Sequence, residues 1–428
     1  MLMLTSISSG RATMSQRVLR VAAPLCLLAG LSGCALDAVN PGPIRAEALN
    51  SPSALPSLVN GSGRDLAEAL NWTSYTGGAA AREVFPGGST GSFGISVLQQ
   101  NGKLVDNDGD VYWNFAQRAR WTSEDAVTRT KSVLGTASAT SATLAQALVW
   151  AAFSNRLLGE NFCEGVINGG APGPHTVYFE RAETYFTEAI TVATAANNAN
   201  LVSAATAGRA SVRLLRNNTA GAATDAATVA STFAYRMPYY QNELDQYNRI
   251  FWASANQPYR AHTVWNTYIE THRRATRDPR VPYDSSLTIL VGDAAVGALG
   301  RVRWYFQTKY PLLTSPINLV SGWEMRLIEA ETKLVAGDVT GALTSMNVRR
   351  TALALPAVTA ANVTEAWAAL KKERGIELWL EGRRLGDLRR WAALTRPGAL
   401  DLKEEIPGRD LCFATPLSEK QTNLNFPR

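Results

Sequence analysis

At 428 residues, 46% hydrophobic and 18% charged, the chain has the make-up of a soluble globular protein. It is long enough for two or three average domains or for one large helical one. Its formal charge of +6 does not signal nucleic acid. Half of that excess is Arg11, Arg17 and Arg20, in a stretch without acids, and no basic stripe interleaved with aromatics follows.

The basic segment "RATMSQRVLR" and the apolar run "VAAPLCLLAGL" read as a signal segment. The run is too short for a bilayer-spanning helix, which takes about 20 apolar residues. Met14 is an alternative start, since residues 14–34 already form a complete signal. "LSGC" ends at Cys34 and resembles a bacterial lipobox, with a Leu three places before a Cys and small residues between. That resemblance implies removal of residues 1–33 and acylation of the Cys34 thiol, giving the two or more acyl chains that stable anchoring requires. Ala35 is compatible with sorting to the outer membrane. An ordinary secretory signal with a chance Cys is the competing reading. Residues 34–43 form a short polar tether. With Cys26 lost and Cys34 acylated, Cys163 and Cys412 remain, as one bridge or as two buried thiols. They are too few to make a structural zinc site.

Residues 44–70 carry apolar positions at helical spacing on both sides of a Gly/Ser break. Residues 71–108, rich in Gly, Ser, Thr and Asn, read as a long loop of the kind that is functional or disordered. Within it "DNDGDV" (106–111) imitates the start of a calcium loop but fails at Val111 and Gln117, where a turn Gly and a bidentate Glu belong. Asp108 or Asp110 is better read as the cap of the helix that follows. That helix starts near Asp110, and a second runs from Ser141 to about Gly165. After the Pro/Gly loop "NGGAPGPHT", two more follow in "VYFERAETYFTEAITVATAA" and "NLVSAATAGRASVRLLRNN". These resemble tetratricopeptide (TPR) hairpins: Leu158-Gly159-x-x-Phe162 fits the first-helix pattern, and Ala182-x3-Phe186 with Ala189 fits the second. A further pair places Ala330 and Ala342 on either side of a Gly337-Asp338 turn. Residues 235–317 are irregular, dense in Tyr, Trp, Asn and Gln, with "RVRWYFQTKY" alternating like a strand.

The densest stretch is "KKERGIELWLEGRRLGDLRRW". Glu373, Glu377 and Glu381 recur every four residues, on one face of a helix. Gly382 lets that helix stop or bend. Arg383 and Asp387 stand four apart and can pair, as can Arg374 with the neighbouring acids. We read the set as a structural corner of Arg–carboxylate pairs over Trp379, Leu380, Leu388 and Trp391, since no nucleophile or metal ligand accompanies it.

Together with "GWEMRLIEAETKL" and the closing "CFATPLSEKQTN", this stretch resembles the C-terminal half of the SusD/RagB-like outer-membrane nutrient-binding lipoproteins. The resemblance is strong over 318–425, moderate over 110–215 and weak in the loop-rich regions. It implies a mainly all-α fold in which residues 44–428 form one domain. TPR-like helices at about 110–230 and 318–392 would be the scaffold, with irregular insertions at about 71–108 and 235–317 facing the ligand, and minor β structure. It further implies a surface lipoprotein that captures an extended nutrient, most often a glycan, and hands it to a TonB-dependent barrel with no chemistry of its own. No cofactor or metal is called for. Trp72 and Tyr75 in the first region, and Trp252, Tyr259 and Trp265 in the second, suit sugars: rings stack on C–H faces while amides bind hydroxyls. A lipid-anchored TPR scaffold that assembles envelope proteins is the alternative, and it leaves the aromatic regions unexplained.

Overall fold

Most of the chain's apolar residues fall on helical stripes, and each helix covers its stripe against a neighbour. The computed structural model describes residues 46–88, 95–255, 260–290 and 302–427. The signal, Cys34 and the tether lie outside the described residues, as does Tyr259. Contacts group the chain into Met1–Leu49, described only as a short 3-10 turn, and Asn50–Arg428. In the larger unit the main helices are α1 (Leu55–Ala80), α2 (Asp110–Leu134), α3 (Ala142–Asn161), α4 (Thr176–Ala195), α5 (Ala199–Leu215) and α6 (Thr219–Thr228). Beyond them come α7 (Tyr268–Thr276), α8 (Gly322–Val335), α9 (Val339–Ala352), α10 (Val363–Glu377) and α11 (Arg384–Ala393). The fold is all-α in class. Helices α1 and α2, α3 and α4, α5 and α6, and α8 and α9 pack as pairs, and each pair leans on the next.

Small residues opposite aromatics set the spacing. A Cβ on Gly159 would lie 2.4 Å from the Phe179 ring, and one on Gly208 would lie 2.3 Å from Phe186. Ala182, Ala189, Ala330 and Ala342 are fully buried. Gly337 turns the chain at φ +81°, and Asp338 caps α9 by accepting from the Gly341 N–H at 2.7 Å.

Residues 71–80 are not loop. Helix α1 continues through "WTSYTGGAA" to Ala80, because its small residues serve close approach rather than flexibility. A Cβ on Gly77 would sit 3.3 Å from Leu385, and one on Gly78 3.1 Å from Leu380. Trp72 and Tyr75 therefore lie on a helix. Helix α3 stops at Asn161, short of Gly165. The acids of "DNDGDV" take protein partners: Asp106 pairs with Lys420 at 2.9 Å, Asp108 accepts from Ser96 at 2.6 Å, and Asp110 accepts from Ser418. The expected Asp cap is absent, since Gly109 holds the cap position of α2 with no side-chain bond. Among the described residues no cluster of three or more His, Cys, Asp or Glu stands ready for a metal.

Cys163 and Cys412 are joined by a disulfide, with Cα atoms 5.1 Å apart and a sequence separation of 249. Backbone bonds from Cys163 to Phe413 (3.0 Å) and from Phe413 to Asn161 (2.7 Å) hold the C-terminal segment on the end of α3. Phe162, Phe413, Tyr112 and Trp113 pack around the link. The double replacement Cys163→Ser, Cys412→Ser is expected to cost about 2–5 kcal/mol. Urea titration checks this, and adding reductant to the unaltered protein should move its midpoint equally.

The corner departs from its sequence reading in two ways. Helix α10 ends at Glu377, and the turn that follows carries Leu380 at φ +58° and Gly382 at φ +72°. Glu381 is therefore off the face of Glu373 and Glu377, and it accepts from Lys309 and Asn318, both at 2.8 Å. Arg383 does not pair with Asp387. It sits at the cap position of α11 and reaches Glu160 and Glu324 at 2.8 Å and Ser211 at 2.7 Å, on three other helices. Asp387 is taken by the Arg374 fork at 2.8 and 2.9 Å, a two-point match that a lone side-by-side contact does not offer. Flanking Arg374 and Arg390 hold the Asp387 carboxyl down to about 2 despite its burial. Glu373 accepts from Arg280 and Arg350, both at 2.7 Å.

Candidate ligand-binding site

The irregular middle of the chain folds into short strands that meet the loop after α1. Phe85–Pro86 pairs antiparallel with His262–Thr263, placing Phe85 opposite Thr263. The Thr263 hydroxyl donates to the Tyr305 carbonyl at 2.8 Å, and the Val264 N–H does so at 2.9 Å. Tyr305 lies in Arg303–Gln307, which pairs with Tyr283–Leu290. Four half-buried rings from three chain segments follow this ribbon. Phe85 and Trp265 meet edge-to-face at 5.7 Å, and Tyr283 and Tyr305 do so at 5.8 Å. The Arg82 guanidinium covers Phe85 at 4.7 Å and that of Arg273 covers Tyr283 at 5.7 Å. Beneath lies Trp304, 1% exposed, against which a Cβ on Gly87 would come within 2.3 Å.

Of the residues singled out from sequence, Trp265 stands on the ribbon. Tyr75 does not face solvent: it is wholly buried under the ribbon, and its hydroxyl shares a 2.5 Å hydrogen bond with His262 Nδ1. Trp72 is half-buried, with Arg249 at 3.2 Å from its ring centre and Phe115 stacked at 6.2 Å. Trp252 packs edge-to-face on Tyr247 at 5.2 Å. Trp72 and Trp252 thus lie where α1 meets the short helix Arg249–Ser254, which itself packs on the ribbon strands His262–Thr263 and Arg303–Gln307. Sequence reasoning missed Phe85, Tyr283 and Tyr305. The alternation in "RVRWYFQ" was the available signal for Tyr305.

Two buried titratable groups underlie the site. Burial lowers His262 to about 3, with Arg82 adding to the effect, so the imidazole is neutral at neutral pH. Burial raises Glu83 to about 8, offset in part by the Leu380 N–H, which donates to it at 3.1 Å, and by Arg384 and Lys309. Its folded value lies above the ordinary 4.5, so the stability it contributes is complete below pH 4.5 and lost as pH rises toward 8. His262 acts oppositely, costing stability only as pH falls below its ordinary 6.5. Of these two groups only Glu83 contributes a slope between pH 6.5 and 8, of about 1.4 kcal/mol per pH unit at most. Glu83→Gln should remove this slope and melt above the unaltered protein at pH 8, while differing little near pH 5. Thermal melts across that range check it.

Comparison with known proteins bears on the fold. The SusD family model matches residues 324–425. The fold matches a SusD-like carbohydrate-binding protein from Bacteroides vulgatus at 15% identity and TM-score 0.60, over 79% of this chain and 83% of that one. It matches a SusD superfamily protein from Parabacteroides distasonis at 13% identity and TM-score 0.63, over 90% and 99%. The fold is SusD-like. A laminarin-binding SusD-like protein shares 14% identity and a TM-score of 0.63 with it, over 88% and 98% of the two chains. No curated protein matches the sequence. The matched C-terminal region of this chain is the one that holds the Arg–carboxylate corner, and the ribbon lies outside it.

Proposed function

We propose that this SusD-like protein binds an extended glycan along the aromatic ribbon and delivers it to a TonB-dependent transporter barrel. It does so from the outer-membrane surface, anchored through acylated Cys34. The observation that carries the reading is the set of Phe85, Trp265, Tyr283 and Tyr305, rings brought together from three segments and left half-exposed. Aromatic faces of this kind stack on the C–H faces of sugar rings. The carbohydrate-binding and laminarin-binding proteins that share the fold support the ligand class. The role is capture and release without chemistry. No described helix is long and apolar enough to cross a membrane.

Two measurements test the proposal. Affinity electrophoresis in gels containing laminarin, starch or xylan should retard the soluble form of the chain in at least one polysaccharide. Pull-down of the tagged lipoprotein from detergent-solubilised envelopes should recover a TonB-dependent barrel at near-stoichiometric yield. Recovery of soluble envelope proteins with no barrel, and no retardation in any gel, would favour the lipid-anchored scaffold instead.

A further inference from the structure

Helix α1 carries a second feature near its start. From Gly63 to Ala80, at 1.5 Å per residue, the separation from the ribbon end is about 25 Å. There a cavity of about 490 Å³ opens between α1, Trp150 and the segment Met237–Gln246. Its size falls within the range of about 300–1,000 Å³ typical of small-ligand sites. Two glycines shape it, each weakening the helix relative to alanine. Gly63 is required by packing, since a Cβ there would stand 2.8 Å from Trp150 Nε1. Gly61 has no such reason: a Cβ would meet nothing within 4 Å. The missing side chain leaves the mouth open.

The lining combines an apolar floor with two unanswered polar atoms. Trp150 is 9% exposed and Met237 and Tyr239 are buried, while the neighbouring Tyr240 is 54% exposed. The Tyr239 hydroxyl donates to the Ala67 carbonyl at 2.9 Å, fixing that wall to α1. The indole N–H of Trp150 has no acceptor among the described residues. Asp245 Oδ1 is buried and accepts no hydrogen bond, its other oxygen being held by Arg64. A buried acceptor without a partner is costly until something supplies one. An anion would meet the Asp245 carboxylate, and a cation would compete with Arg64 for it. A neutral sugar answers both atoms, one hydroxyl donating to Asp245 and another oxygen accepting from Trp150, with a C–H face against Tyr240.

We propose that this cavity is a second carbohydrate site, taking one neutral sugar residue, separate from the ribbon. It rests on the glycan-binding reading only for the choice of sugar as ligand. Saturation-transfer difference NMR on the full mature chain tests it, with D-glucose, D-galactose, D-mannose and N-acetyl-D-glucosamine as probes at millimolar concentration. At least one should give transfer with the unaltered protein and equally with Trp265→Ala. The signal should fall tenfold or more in Gly61→Phe, which fills the mouth, and in Asp245→Ala, which removes the acceptor. Both variants should keep the unaltered melting temperature and polysaccharide retardation. The proposal is overturned if no probe gives transfer, if transfer survives both variants, or if it is lost only with Trp265→Ala. A protein that no polysaccharide retards, yet whose monosaccharide signal follows Gly61 and Asp245, would sink the ribbon reading and leave this one standing.

Discussion

Arg383→Ala is expected to lower stability by about 3–5 kcal/mol, the cost of stripping one partner from a buried ion pair. Domains have only about 5–15 kcal/mol in total, so the variant should fail to accumulate or should melt far below the unaltered protein. Arg383 is 4% exposed and ties α11 to Glu160 on α3, Glu324 on α8 and Ser211 on α5. Removing it leaves Glu160 and Glu324, 2% and 1% exposed, without their shared cation, with Arg156 at 3.4 Å still beside Glu160. Arg383→Lys should not restore the loss, because a single ammonium cannot serve three acceptors placed for a planar fork. Arg383→Met combined with Glu324→Gln should recover part of it, since one unpaired carboxylate goes with its partner while Glu160 keeps Arg156. Guanidinium titrations decide the matter. An alanine variant within about 1 kcal/mol of the unaltered protein, well under the cost of a broken buried pair, would show that these charges find other partners.

That corner also shows what a sequence can and cannot give. Its density of Arg, Glu and Trp without a nucleophile was legible as structure, and the buried Trp379, Leu380, Leu388 and Trp391 lie where the pattern put them. Its pairing was not legible, because four-residue spacing sees only neighbours on one helix. The partner of Arg383 on α3 is 223 residues away, and that of Arg390 on α8 is 59 away. The helical hairpins were readable from Ala and Gly at fixed offsets from Phe, since local periodicity records a helix face. Helix α1 beyond residue 70 was not, because Gly and Thr weaken a helix in isolation, and only the approach of Leu380 and Leu385 gives Gly77 and Gly78 their purpose. The ribbon was the least legible part. Its first strand is two residues long and shows no alternation. Nothing local separates Trp265, left half-exposed, from Tyr75, whose ring is buried beneath the same strands.

Trp265→Ala is expected to weaken binding of the retained polysaccharide by about 10–100-fold, the roughly 2 kcal/mol typical of losing a central aromatic anchor. The side chain leans on Phe85 alone among the described rings, so its removal should cost less in stability than in binding. Tyr305→Ala should act in the same direction. The strand survives that change because Thr263 and Val264 bind the Tyr305 backbone rather than its ring. Trp72→Ala is the contrast. Its ring is sandwiched between Arg249 and Phe115, so the expected loss is in melting temperature, with polysaccharide retardation unchanged. Affinity electrophoresis and isothermal titration on the three variants, beside their thermal melts, separate the two behaviours. If Trp72→Ala abolished binding while Trp265→Ala and Tyr305→Ala bound normally, the ligand would lie against α1 and the helix Arg249–Ser254. The ribbon would then be packing between strands, and the aromatic faces it exposes would have to be explained by a protein partner instead of a sugar.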